Sequence, residues 1–76
     1  MATMSMLDRP EAASEILRLR EELGLTEIQL AHKLMQNDSL RAILGRVPTP
    51  TLIKDAENGR GLPSVANTLI VFIREL

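Results

Sequence analysis

Residues 21–35 read EELGLTEIQLAHKLM, and this stretch decides the fold. Gly24 is a natural left-handed helix stop, because glycine lacks the Cβ that makes that conformation costly. Two residues on, Thr26 and Gln29 stand at capping-box spacing, in which two side chains satisfy backbone N–H groups that a helix start leaves unpaired. Ile28, Ala31, Leu34 and Met35 then share one helical face. The stretch predicts a helix that stops at 23 and a second helix over 27–35.

The same signals recur on both sides. Upstream, Asp8-Arg9-Pro10-Glu11 opens a helix: Asp8 can accept from first-turn N–H groups, Pro10 needs no donor there, and Glu11 favours the positive end. Ala12, Ile16, Leu19 and Leu23 carry its inward face, so this helix spans 9–23. Downstream, Asn37, Asp38 and Ser39 break the second helix or cap a new one. Leu40, Ile43 and Leu44 make a short apolar face closed by Gly45, either a helix of its own or a continuation of the second. Val47-Pro48-Thr49-Pro50 cannot be helix interior. Thr49 as N-cap with Pro50 behind it starts a further helix, with Ile53 and Ala56 inward and Asn58-Gly59 at its end. Pro63-Ser64 opens the last helix, where Val65, Leu69, Phe72, Ile73 and Leu76 form a stripe and Ile70 and Val71 are apolar too. With no alternating strand pattern and no internal repeat, the expectation is an all-α, compact five-helix bundle, with residues 1–8 a flexible N-terminal segment and 9–76 one domain.

Size and composition narrow the function. A chain of 76 residues has a small core, and at 1% aromatic content, Phe72 alone, that core is aliphatic. So small a domain gains from pairing, and the last helix is apolar on more than one side. Ile70, Phe72, Ile73 and Leu76 are therefore expected at a homodimer interface. The absence of cysteine excludes disulfides and thiolate metal sites, and one histidine excludes a His-rich centre, so no metal or cofactor is expected. No apolar run reaches the ~20 residues that cross a bilayer, and the first ten residues carry no signal-peptide pattern; a cytoplasmic location without membrane contact is the expectation. Net charge is −1, but it is unevenly spread: residues 1–32 carry −3 and residues 33–76 carry +2. A polyanion would prefer the second half.

Catalytic constellations are missing. Ser5, Ser14, Ser39 and Ser64 lie in no nucleophile-elbow setting, and His32 has no acid or hydroxyl that spacing places beside it. Glu21 and Glu22 are adjacent on a helix and so point about 100° apart. Gly59 and Gly61 follow a helix and open no phosphate loop. The chain reads as no enzyme. What remains is the helix opening at Thr49-Pro50-Thr51. A helix N-terminus suits phosphate, and Thr49, Thr51, Lys54 and Asp55 would line its outer face, where hydroxyls and a lysine can meet phosphates or base edges.

LRLREELGLTEIQLAHKL (residues 17–34) resembles the opening of the Cro/repressor, or XRE-type, helix-turn-helix family, matching its L-T-x-x-x-L-A-x-x-L pattern at Leu25, Thr26, Leu30, Ala31 and Leu34. TLIKDAENGRGLPSVANTL (residues 51–69) is similar to the end of that family's recognition helix and the segment after it, with Glu57-Asn58-Gly59 and Pro63-Ser64 as its markers. Together the blocks cover 37 of 76 residues. The resemblance implies a phage-repressor-like bundle, an internal Arg20–Glu57 pair, and a dimer on palindromic double-stranded DNA. It implies a transcriptional regulator, a repressor acting by occupying an operator. Thr49, Thr51 and Lys54 would lie at the groove, Arg41, Arg46 and Lys33 on phosphates, and Asn58 on the backbone. Two departures stand out. Leu34 and Ile53 are nineteen steps apart where the family has about seven, so about twelve residues, 35–46, are inserted at a tight turn. Glu27 stands where the family often has a DNA-touching Gln, and Asp55 where a basic or neutral residue is common. The alternative is a protein-interaction module on the same fold, antitoxin- or antirepressor-like, with a protein partner on Leu40, Ile43, Leu44 and the last helix.

Overall fold

A computed structural model describes residues 7–76; the proposed flexible segment falls mostly on residues 1–6, outside them. Five helices run in order: α1 (Arg9–Leu23), α2 (Glu27–Met35), α3 (Asp38–Leu44), α4 (Pro50–Glu57) and α5 (Pro63–Arg74), with no strand among the described residues. Residues 38–44 are thus a helix of their own. Gly24 and Gly45 end α1 and α3 in the left-handed conformation, at φ 69° and 71°. The capping box is complete: the Gln29 N–H donates to Thr26 Oγ1 at 3.1 Å, and the Thr26 N–H donates to Gln29 Oε1 at 2.9 Å. Asp8 occupies the α1 N-cap with extended backbone, but its side chain accepts no capping hydrogen bond.

α1 packs along α5 and across α4, α2 packs on α4, and α3 rests on α5 and α2. Ala12 and Ala13 let the neighbouring helices come close to α1, and Ile16, Leu30, Leu34, Leu40, Ile53, Leu69 and Ile73 fill the centre. No buried side-chain polar atom of the described residues lacks a partner.

Several apolar residues fall elsewhere than expected, for two geometric reasons: a short helix buries a narrow arc, and the last residue of a helix has fewer neighbours to cover it. The buried face of α2 is centred on Leu30, Ala31 and Leu34, and Ile28 lies about 110° round the helix from that centre, leaving it 69% exposed. Leu23, the last residue of α1, extends past the elements that cover Ile16 and is exposed, as is Ile43 on α3. On α5 the buried arc is Ala66, Leu69, Ile70 and Ile73. Ile70 and Ile73 belong to the chain's own core, 3% and 1% exposed, and are not free to form a dimer interface. Phe72 sits at the edge of that arc, half-buried, while Val71 and Leu76 face outward.

Polar contacts tie the ends together. Asn67 of α5 accepts from the Leu7 N–H at 2.9 Å and donates to the Leu7 carbonyl at 3.0 Å, which joins the start of the described residues to α5. Glu15 of α1 accepts from Arg18 at 2.6 Å and from Arg74 of α5 at 2.8 Å. Those two guanidiniums, Arg18 first, hold the Glu15 carboxyl down at about 2 despite the opposing effect of burial.

Candidate nucleic-acid interface

The start of α4 is built by two prolines and a threonine. Pro48 is fully buried, and the Thr49 N–H turns back to the Val47 carbonyl at 2.9 Å, a tight three-residue turn about Pro48. Thr49 then caps α4, its Oγ1 accepting from the Leu52 N–H at 3.2 Å, which leaves the hydroxyl proton free to donate outward. Pro50 has no N–H and that of Leu52 is taken, so Thr51 holds the one first-turn donor of α4 with no partner among the described residues. The anion-binding character expected of this terminus is correspondingly reduced.

Buried Leu52, Ile53 and Ala56 define the inner face of α4. At about 100° per residue, Thr51, Lys54 and Asn58 form a stripe centred opposite that face. All three are exposed. Asn58 ends the helix, its backbone N–H and its Nδ2 both donating to the Lys54 carbonyl, at 3.1 and 2.8 Å; one side-chain amide hydrogen and Oδ1 remain outward. Asp55 is half-buried on the flank of the stripe and joins no ion pair among the described residues.

α4 is held from behind by Arg20 of α1. Its Nε donates to Glu57 Oε2 at 2.6 Å, its Nη2 to Glu57 Oε1 at 3.1 Å, and its Nη1 to the Leu25 carbonyl at 3.0 Å. One guanidinium thus clamps α1, the α1–α2 turn and the last turn of α4, and the Glu57 carboxylate raises its pKa against the effect of burial. The Arg20–Glu57 pair expected from the resemblance is therefore present, joining residues 37 apart in sequence.

The expected cations are only partly gathered. Arg46 comes to α4: with Arg60 and Asp55 it rims a cavity of about 130 Å³ between α4 and the start of α5, floored by Leu52, Ala56 and Ala66, with Leu62 at its lip. Sequence patterns do not mark Arg60. The one available signal is its place directly after Asn58-Gly59, where the chain turns back along the end of α4 and the Arg60 N–H donates to the Asp55 carbonyl at 2.8 Å. Arg41 is ion-paired with Asp38 within α3, and Lys33 is exposed in the last turn of α2; neither lines this cavity. Among the described residues no group of His, Asp and Glu is placed to hold a metal ion, and no helix is long and apolar enough to cross a membrane. The chain matches no protein-family model, no curated protein and no solved structure.

Proposed function

We propose that this chain is a sequence-specific DNA-binding regulator of the XRE helix-turn-helix type, a repressor that occupies an operator as a dimer and blocks transcription sterically. The observation that carries the reading is the stripe of Thr51, Lys54 and Asn58 opposite the buried face of α4, with the Thr49 hydroxyl at its head. That is the arrangement a reading helix needs: its own hydrogen bonds satisfied, its anchor residues buried, and short polar side chains with one cation directed outward. α2 packed on α4 and the Arg20 clamp hold the two helices in fixed relation. Arg46 and Arg60 flank α4, with Arg41 and Lys33 further out. On this reading α3 is an insertion carried outside the α2–α4 contact. Phe72, Val71 and Leu76 offer the apolar surface for the second protomer.

The test is anisotropy with labelled duplex from the DNA flanking the gene. Neutralising about four to six phosphates per dimer gives a log–log salt slope of about −4 to −5, hence a loss of roughly 250- to 1,000-fold between ~50 and ~200 mM salt. Binding should withstand scrambled duplex and weaken in Lys54→Ala. Absence of binding at both salts sinks the proposal. The second reading, a protein-interaction module on this fold, draws on Ile28 and Ile43, 69% and 63% exposed on the outer faces of α2 and α3.

A further inference from the structure

We infer that the cavity between α4 and α5 is a docking site for an acidic peptide segment of a partner protein, which inserts one aromatic or branched aliphatic side chain. The argument starts from size. The cavity measures about 130 Å³, close to the roughly 150 Å³ that accommodates a benzene ring in an apolar protein interior. Its floor is hydrocarbon from buried Leu52, Ala56 and Ala66 with Val65. Leu62 stands at the lip and is 63% exposed, so apolar surface is left for an occupant to cover. The rim is cationic: Arg46 and Arg60 make no ion pair among the described residues, and guanidiniums favour carboxylates in paired, planar geometry. The apolar floor decides between anionic partners, because the phosphodiester backbone of a duplex has no apolar side chain to place on it. A peptide presents an apolar anchor for the floor, carboxylates for the two arginines, and backbone N–H groups that donate to Asp55.

Because Asp55 and Ala56 belong to α4, an occupied cavity places peptide along the flank of the Thr51–Lys54–Asn58 stripe. Docking therefore excludes duplex from α4 and gives a partner control over DNA binding. This exclusion rests on the operator reading; the docking itself does not.

The probe is the acetylated, amidated pentapeptide Glu-Asp-Phe-Asp-Glu, with Ser in place of Phe as control, titrated into ¹⁵N-labelled full chain. The expected result is a Kd on the order of 0.1–1 mM, as suits a short flexible peptide, with shifts centred on the amides of Asp55, Arg60, Leu62 and Val65. The Ser control should bind at least about tenfold more weakly. Arg46→Ala/Arg60→Ala should weaken the Phe peptide about five- to tenfold. Leu62→Ser should weaken it about three- to tenfold while keeping the fold, since Leu62 is the α5 N-cap and serine is a favoured cap. No shift at these amides, or equal binding of both peptides, overturns the docking site. A peptide that binds there yet fails to displace a duplex that also binds overturns the exclusion. A chain that binds peptide and no duplex leaves the docking site standing and removes the operator reading.

Discussion

Arg20→Ala should be the most damaging surface-accessible substitution in this chain. The side chain makes three hydrogen bonds, two of them charge-assisted to Glu57, and the side chains of Arg20 and Glu57 are only 18% and 7% exposed. Truncation strands the Glu57 carboxylate and the Leu25 carbonyl together. A stranded buried polar group costs about 1–3 kcal/mol, and breaking a buried pair by removing one partner costs about 3–5 kcal/mol. Since the pair retains some solvent, ~2–4 kcal/mol is the expected loss. A domain of this size has a total stability of about 4–11 kcal/mol, so Tm should fall by roughly 10–25 °C. Urea unfolding followed by circular dichroism measures the loss, provided the slope with denaturant is unchanged. A double-mutant cycle with Glu57→Leu isolates the pair: Arg20→Leu and Glu57→Leu should couple by at least ~1.5 kcal/mol, the double variant being less damaged than the singles predict. A coupling under ~0.5 kcal/mol would refute the view that this clamp, rather than apolar packing alone, seats the end of α4.

Three further expectations can be checked on the same protein. The Glu15 carboxyl is held at about 2 in the folded chain, below its unfolded value, so its stabilisation is present above the unfolded pKa and is lost as pH falls through the folded one. With Arg18 and Arg74 more than half exposed, that is worth about 1 kcal/mol after screening, and Glu15→Gln should abolish this part of the pH dependence between about pH 4.5 and pH 2 in urea titrations. Asn67→Ala removes both hydrogen bonds to Leu7 and a third from Nδ2 to the Pro63 carbonyl at 2.7 Å; it should cost ~1–3 kcal/mol and speed amide exchange at Leu7, and unchanged exchange there would show that residue 7 is held by other means. Ile70→Asp should unfold the chain, whereas Val71→Ser, 45% exposed in the wild type, should leave the fold intact and change only association measured by sedimentation; a folded, monomeric Ile70→Asp would return Ile70 to the interface.

The elements are legible in the sequence because their ends carry strong local chemistry. Gly24, Thr26 with Gln29, Gly45, Thr49-Pro50 and Pro63 each act through the few backbone groups at a helix terminus, so residues close in sequence decide them. The Arg20–Glu57 pair is legible only through the family resemblance, since nothing local links residues so far apart. Facing is less legible. In α5 every position from Leu69 to Ile73 is apolar, so periodicity alone does not choose between an arc on Phe72 and Leu76 and the actual arc on Ala66, Leu69, Ile70 and Ile73. The small Ala66, where close approach is cheap, marks the true centre. The α4 stripe is readable from the spacing of one short helix, whereas Arg60 is not, because its neighbours Arg46 and Asp55 meet it only after the chain has folded back.

On the proposed helix-turn-helix reading, residues 35–46 are an insertion of about twelve residues at a tight turn, which would splay two helices whose contact depended on that turn. Here the contact depends on other things: Leu30, Ala31 and Leu34 meet Ile53 and Ala56 in one core, and Arg20 ties the far end of α4 to the α1–α2 turn. Loop closure costs grow only slowly with length, about 0.6 kcal/mol per doubling, so a longer connection is tolerated once the packing is specified elsewhere. Residues 38–44 also bury Leu40 in the core and pack α3 on α5, so they contribute to the core of the domain. Leu40→Ala should therefore destabilise the whole domain by ~2–5 kcal/mol in a single cooperative transition, as a core position does. If α3 instead melted alone, with α1, α2, α4 and α5 keeping their amide protection, α3 would be an appendage and Leu40 no part of the cooperative core.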